Sequence, residues 1–108
     1  MLANDKLYII VRNDLNTGSK LAQSCHVAFE FYKSHPEVAK SWMEASNYIC
    51  ILSVESENEI SEILMKAIDK NITHSVFREP DFDDSITAIA LEPGPISKKL
   101  CSKLKLAS

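Results

Sequence analysis

Residues 7–11 read Leu-Tyr-Ile-Ile-Val, an unbroken apolar run that is partly β-branched. The run is too short for an ordinary helix, and a strand with one wet face would alternate polar and apolar side chains. It therefore predicts a central strand covered on both faces. A strand of that kind forces the rest of the chain to supply two covering layers, and the following residues alternate between helix-like and strand-like patterns.

After a polar turn at residues 12–18, a first helix is predicted from about Thr17 or Gly18 to about Lys33. Leu21, Cys25, Ala28 and Tyr32, joined by Ala22 and Phe29, are spaced as a stripe expected to pack on the sheet. Ser34 and Glu37 have the spacing of a capping box around Pro36, which predicts a second helix over about 35–45 with Val38 and Trp42 inward. Residues 48–54 form a second apolar strand. Ser56 and Glu59 suggest another capping box before Ile60, Ile63, Leu64, Ala67 and Ile68, and Asn71 suits a left-handed stop.

Strands follow at about 74–78 and 86–91, separated by an acidic loop, and a last helix is expected from residues 93–95 to about 104. The expected fold is one three-layer α/β/α domain over residues 1–108, with a mixed four-stranded sheet in the order βααβαββα. With 108 residues and 45% hydrophobic side chains, the chain is large enough to build such a core.

Composition narrows the partners. Residues 1–6 lack the features of a signal peptide, and no segment approaches the ~20 apolar residues of a membrane span, so a cytoplasmic protein without membrane contact is expected. Three cysteines, Cys25, Cys50 and Cys101, form no CxxC pair and suit buried thiols in a reducing compartment. A net charge of −3 is not that of a general nucleic-acid binder, although Lys98, Lys99, Lys103 and Lys105 make the C-terminal segment locally basic. No metal-ligand spacing is present; the acidic loop lacks the glycine and spaced oxygens of a calcium site.

The segment Val11-Arg12-Asn13-Asp14-Leu15, then Gly18, then Ala22-Gln23-Ser24-Cys25-His26, resembles the opening of the type II peptidyl-tRNA hydrolases. The likeness continues in order through Trp42, an amphipathic helix, an Arg-ended strand at Arg78, the strand Thr87-Ala-Ile-Ala-Leu with Pro93 after it, and the closing Leu104-Lys105-Leu106. It implies hydrolysis of the ester joining a peptide to the terminal ribose of tRNA, with peptidyl-tRNA as partner and without a metal or organic cofactor. The alternative is a catalytically silent binding or regulatory domain on the same fold. The oligomeric state does not follow from the residues.

That chemistry calls for an activated water, a donor or cation near the developing oxyanion, and a grip on the tRNA end. Lys20, Gln23 and His26 lie at i, i+3 steps on the first helix and form a ridge expected to point away from the apolar stripe into a cleft. Lys20 would stabilise an oxyanion or bind phosphate, Gln23 would orient the water or the carbonyl, and His26 would join the hydrogen-bond network or act as a base. Gly18 and Ser19, at the helix start, would offer free N–H groups to an anion. Arg12 and Asp14 either bind substrate or tie the strand end to its turn.

Two positions depart from the family pattern. The family's lysine lies four residues before the glutamine, where this chain has Ser19, and Lys20 is one residue nearer. The family's Asp-Ala-Gly-x-Thr loop is replaced by the shorter Glu79-Pro80-Asp81-Phe82-Asp83-Asp84-Ser85. Glu79 is the positional match to the loop aspartate, with Asp81 as the next candidate, and no threonine matches the loop threonine.

Overall fold

A computed structural model describes all of residues 1–108. At its centre lies β1 (Lys6–Arg12), whose residues Leu7, Ile9, Ile10 and Val11 are at most 2% exposed, as expected for a strand covered on both faces. From it the chain runs through α1 (Thr17–Ser34) and α2 (Pro36–Ala45) to β2 (Tyr48–Val54), which pairs parallel to β1. It continues through α3 (Glu57–Asp69) to β3 (His74–Glu79), a 3-10 turn at Pro80–Phe82, and β4 (Ser85–Leu91). The last elements are α4 (Pro95–Leu100) and a short β5 (Lys105–Leu106).

The sheet order is β3-β4-β1-β2-β5. β4 runs antiparallel to both β1 and β3, so β1, β2 and β3 share one direction. The mixed α/β architecture matches the sequence expectation, but the sheet has five strands rather than four. The added strand is two residues that pair antiparallel with Leu52 and Ser53 on β2, too short to register as a periodic pattern. The last helix also stops at Leu100 rather than near 104.

Two apolar clusters lie on opposite faces of the sheet. Leu7, Ile9, Val11, Ala88 and Ala90 pack against Val27 and Phe31 of α1 and Ala39 and Trp42 of α2. Tyr8, Ile10, Leu52, Ile89 and Leu91 pack against Ile60, Ile63 and Ala67 of α3. Trp42 donates its indole N–H to the Tyr48 carbonyl at 2.8 Å, satisfying the one polar atom that its burial takes from water. Ser56 caps α3 through the Glu59 N–H, and Asn71 takes φ 56° just beyond its end. At the start of α2 the capping residue is His35, without a side-chain cap bond, so the expected Ser34/Glu37 box does not form.

The facing of α1 differs from expectation. Leu21, Phe29 and Tyr32 are 63%, 76% and 51% exposed and Cys25 is exposed, whereas Gln23, Ser24, Val27 and Phe31 are buried against the sheet. Two amphipathic stripes compete on this helix. The winner is the one whose apolar members are Val27 and Phe31, because the polar Gln23 and Ser24 find hydrogen-bond partners when buried, at Thr87 and at the Lys20 carbonyl. Of the cysteines only Cys101 is fully buried; burial, with Cys50 nearby, pushes its thiol up to about 12.

The facing of α1 is testable by truncation. Phe31→Ala is expected to lower unfolding free energy by about 3–5 kcal/mol, as for a buried aromatic. Phe29→Ala is expected to change it by no more than about 0.5 kcal/mol. Urea denaturation of both variants measures the difference, and equal losses would contradict this packing.

Candidate active site at the carboxyl end of the parallel strands

β1, β2 and β3 end at Arg12, Val54 and Glu79, and β4 begins at Ser85, so these residues meet along one end of the sheet. α1 starts at the same end, and in open α/β sheets such a crevice beyond the strand ends is where ligands bind. Asn16 caps α1 by accepting the Ser19 N–H at 2.8 Å. The Ser19 N–H is therefore taken rather than free for an anion, a correction to the expectation from the sequence. Gly18 is not required by space, since an added Cβ would meet only Asn16 Oδ1 at 3.7 Å.

The centre of the site depends on an irregularity in β4. Phe77 pairs with Ala88 and Arg78 with Ile86, leaving Thr87 without a partner across the ladder. Such a β-bulge places two residues opposite one and re-aims a side chain. Without it, Thr87 would share the α3 face with Ile89 and Leu91. With it, Ile86 joins the α3-side core and Thr87, fully buried, turns to α1 and donates its hydroxyl to Gln23 Oε1 at 2.6 Å. That bond uses the Gln23 oxygen as acceptor and leaves the amide N–H₂ as an uncommitted donor.

The ridge of Lys20, Gln23 and His26 fans out. Each i, i+3 step rotates about 60° backwards around the helix, so with Gln23 facing the sheet its two neighbours diverge to either side. Lys20 reaches toward the β2 side, where its ammonium donates to Asn13 Oδ1 at 3.0 Å and to the Ser108 carbonyl at 2.7 Å. It lines a pocket of about 170 Å³ with Val11, Thr17, Ser24, Ile51 and Ala107. His26 leans the other way and stacks on Phe77 of β3, with ring centroids 4.6 Å apart and planes within 10°. The structure thus brings Gln23, Thr87, Phe77 and His26 together and sets Lys20 to one side of them.

Glu79 lies two residues beyond Phe77 and so on the same face of β3, half-buried, while Asp81 is exposed on the following turn. Neither carboxylate is in an ion pair, because the one ion pair of the structure joins Arg12 to Asp14. Arg12 holds Asp14 with Nε at 2.9 Å and Nη2 at 2.8 Å, and donates its remaining Nη1 to Ser85 Oγ and the Ile86 carbonyl, both at 3.2 Å. Arg12 and Asp14 therefore brace the end of β1 against the start of β4, next to the bulge. The Arg12 guanidinium holds the Asp14 carboxyl below the usual range. No group of three or more His, Cys, Asp or Glu side chains is placed to hold a metal ion.

Thr87 and Phe77 are the residues that sequence reasoning overlooked. Thr87 reads as an ordinary strand position in Ile-Thr-Ala-Ile-Ala-Leu, and a single polar residue in that run was the only available signal. Phe77 carried none, because its role depends on which α1 side chain lies above it.

Two outcomes follow. Thr87→Val leaves the buried Gln23 oxygen unpartnered and should cost about 1–3 kcal/mol, while the double variant Gln23→Leu/Thr87→Val should recover part of that loss; a fully additive thermal-unfolding cycle would contradict the pairing. The Arg12–Asp14 contribution should be complete above about pH 4 and vanish as the pH falls through the depressed Asp14 pKa. With the Asp14 side chain 41% exposed, it amounts to less than about 1 kcal/mol, and Asp14→Asn should remove that acid-limb dependence from the stability curve.

The family model described as peptidyl-tRNA hydrolase PTH2 matches residues 5–107. A peptidyl-tRNA hydrolase of Methanocaldococcus jannaschii is 26% identical over 113 residues, covering 94% of this chain and 98% of that protein. One from Methanococcus vannielii is 30% identical over 110 residues, covering 91% and 95%. Among solved structures, an Agrobacterium protein of unknown function superimposes with a TM-score of 0.73 over the full length of both chains at 16% identity, a likeness of fold alone. With a family match that runs from the residue before β1 to the residue after β5, the chain belongs to the PTH2 family of peptidyl-tRNA hydrolases.

Proposed function

We propose that this chain hydrolyses the ester between a peptide, or an N-blocked amino acid, and the 3′ ribose of tRNA, working as one domain in the cytoplasm. The observation that carries the reading is the buried Gln23–Thr87 bond, which takes up the Gln23 oxygen and leaves its amide N–H₂ as an uncommitted donor near the carboxyl end of the sheet, in a chain of the PTH2 family. In this reading Gln23 N–H₂ donates to the ester carbonyl oxygen as it gains negative charge. Lys20 adds a cation from one side, swinging from Asn13 and Ser108 to the oxyanion or to the terminal phosphate. A water attacks the carbonyl carbon and gives its proton to His26 or to a carboxylate, Glu79 or Asp81. The ribose oxygen then leaves as the hydroxyl, and the peptide leaves as a carboxylate. Arg12 and Asp14 hold the strand ends that carry the site, while Gly18 and Ser19 border it.

A silent binding domain is the second reading. It is favoured by the engagement of Lys20 with Asn13 and Ser108 and by the acidic residues Glu79, Asp81, Asp83 and Asp84 beside the expected path of the RNA end. Phosphate repulsion from such a loop acts over ~8 Å at physiological salt.

Release of N-acetylated amino acid from its tRNA separates the two readings. The wild-type protein is expected to release it above background, and Gln23→Leu is expected to lower kcat/KM on the order of 100-fold, as for loss of an oxyanion donor. His26→Phe retains the stack on Phe77 but cannot accept a proton, so a loss as large as that of His26→Ala assigns the imidazole a proton-handling role. No release by folded wild-type protein leaves the binding reading.

A further inference from the structure

A groove of about 940 Å³ runs between α3 and α4, on the sheet face opposite α1. α3 starts at the candidate-site end, where Glu57 accepts the Ile86 N–H at 2.8 Å, and then runs away from it. The groove therefore lies at the far end of the molecule as well as on the far face. Ile63, Ile96, Leu100 and Leu104 form its floor, and Ile96 is 56% exposed. Lys66, Lys70, Lys99 and Lys103 stand around it, and no carboxylate lines it. None of the four lysines makes an ion pair, since Arg12–Asp14 is the structure's only one. Four cations outside any ion pair around an apolar floor contrast with a chain whose net charge is −3.

We infer that this groove is a docking surface for an acidic amphipathic helix of a partner protein. Helix-in-groove recognition sets apolar side chains at i, i+3, i+4 and i+7 into a trough, and carboxylates flanking that stripe would meet the lysine rim. The lining speaks for a peptide rather than a nucleic acid. It contains no aromatic side chain on which a base would stack and no arginine to fork onto a phosphate, and phosphates on the rim would leave the apolar floor uncovered. Snorkelling lysines fit such a rim, because their stems extend the apolar wall while their ammonium groups stay at the edge.

The test uses the full chain and a fluorescent peptide of about 18 residues, with leucine at the four stripe positions, glutamate flanking that stripe and alanine elsewhere, its helicity verified by circular dichroism. Its counterpart with lysine in place of glutamate and a single-stranded RNA serve as controls. Saturable binding of the glutamate peptide is expected, with amide shifts confined to residues 63–70 and 95–104. Lys99→Glu/Lys103→Glu should weaken binding at least about tenfold, and Ile96→Ser should weaken it separately. Release of N-acetylated amino acid from tRNA should be unaffected in both variants, whose folding the amide spectrum verifies. The inference is overturned if the glutamate peptide shows no saturation at about 1 mM, if the lysine peptide binds equally well, if neither variant changes its affinity, or if RNA shifts the same amides at lower concentration.

Discussion

Burial of β1 on both faces is the constraint from which the rest of the architecture descends. A strand whose side chains are nearly all withdrawn from water must be covered above and below, and at this length each cover consists of one long helix and one short one. α1 and α2 close one face, α3 and α4 the other. The parallel pairing of β1 with β2 needs a crossover, and α1 with α2 is that crossover. Because the strands on either side of β4 share a direction, β1 and β3 deliver their carboxyl ends to the same edge as the amino end of β4. Arg12, Glu79 and Ser85 share one end of the sheet as a consequence of that arrangement.

Within this frame the extra residue in β4 decides what faces α1. A regular β4 would point Thr87 into the aliphatic core beneath α3, where a hydroxyl would have no obvious partner. The bulge exchanges faces locally, so Ile86 enters that core while Thr87 meets Gln23. Arg12 steadies the same place by bonding Ser85 and the Ile86 carbonyl. The buried amide-hydroxyl pair is small in energy, and its effect is orientation: it commits the Gln23 oxygen and leaves the amide N–H₂ as the free end.

Charge is distributed unevenly over the fold. Carboxylates concentrate in the turn between β3 and β4, and lysines concentrate around the groove between α3 and α4. The turn lies at the carboxyl end of the parallel strands and the groove between α3 and α4, so a chain of modest overall charge carries two regions of opposite sign. The exposed Leu21, Phe29 and Tyr32 add an apolar stripe along α1 that no other element covers.

The order of elements was legible in the sequence, because each strand run and each helical pattern reports a local property: whether a short segment can be buried on two faces or one. Residues 7–11, the cap at Ser56 and the stop at Asn71 all appear where their side chains require. The family likeness was also legible, from the spacing of Gln23 and His26 after the Arg-x-Asp-Leu turn. Which face of α1 is buried was not, since two stripes fit the helical period and the choice rests on the sheet residues that receive Val27 and Phe31 and on Thr87, which partners the buried Gln23. The two-residue β5, the bulge at Thr87 and the Phe77 ring under His26 likewise exist only between segments far apart in the chain. Periodicity reads one element at a time, whereas a strand register, a bulge and a buried polar pair are properties of two, and tertiary packing alone decided them.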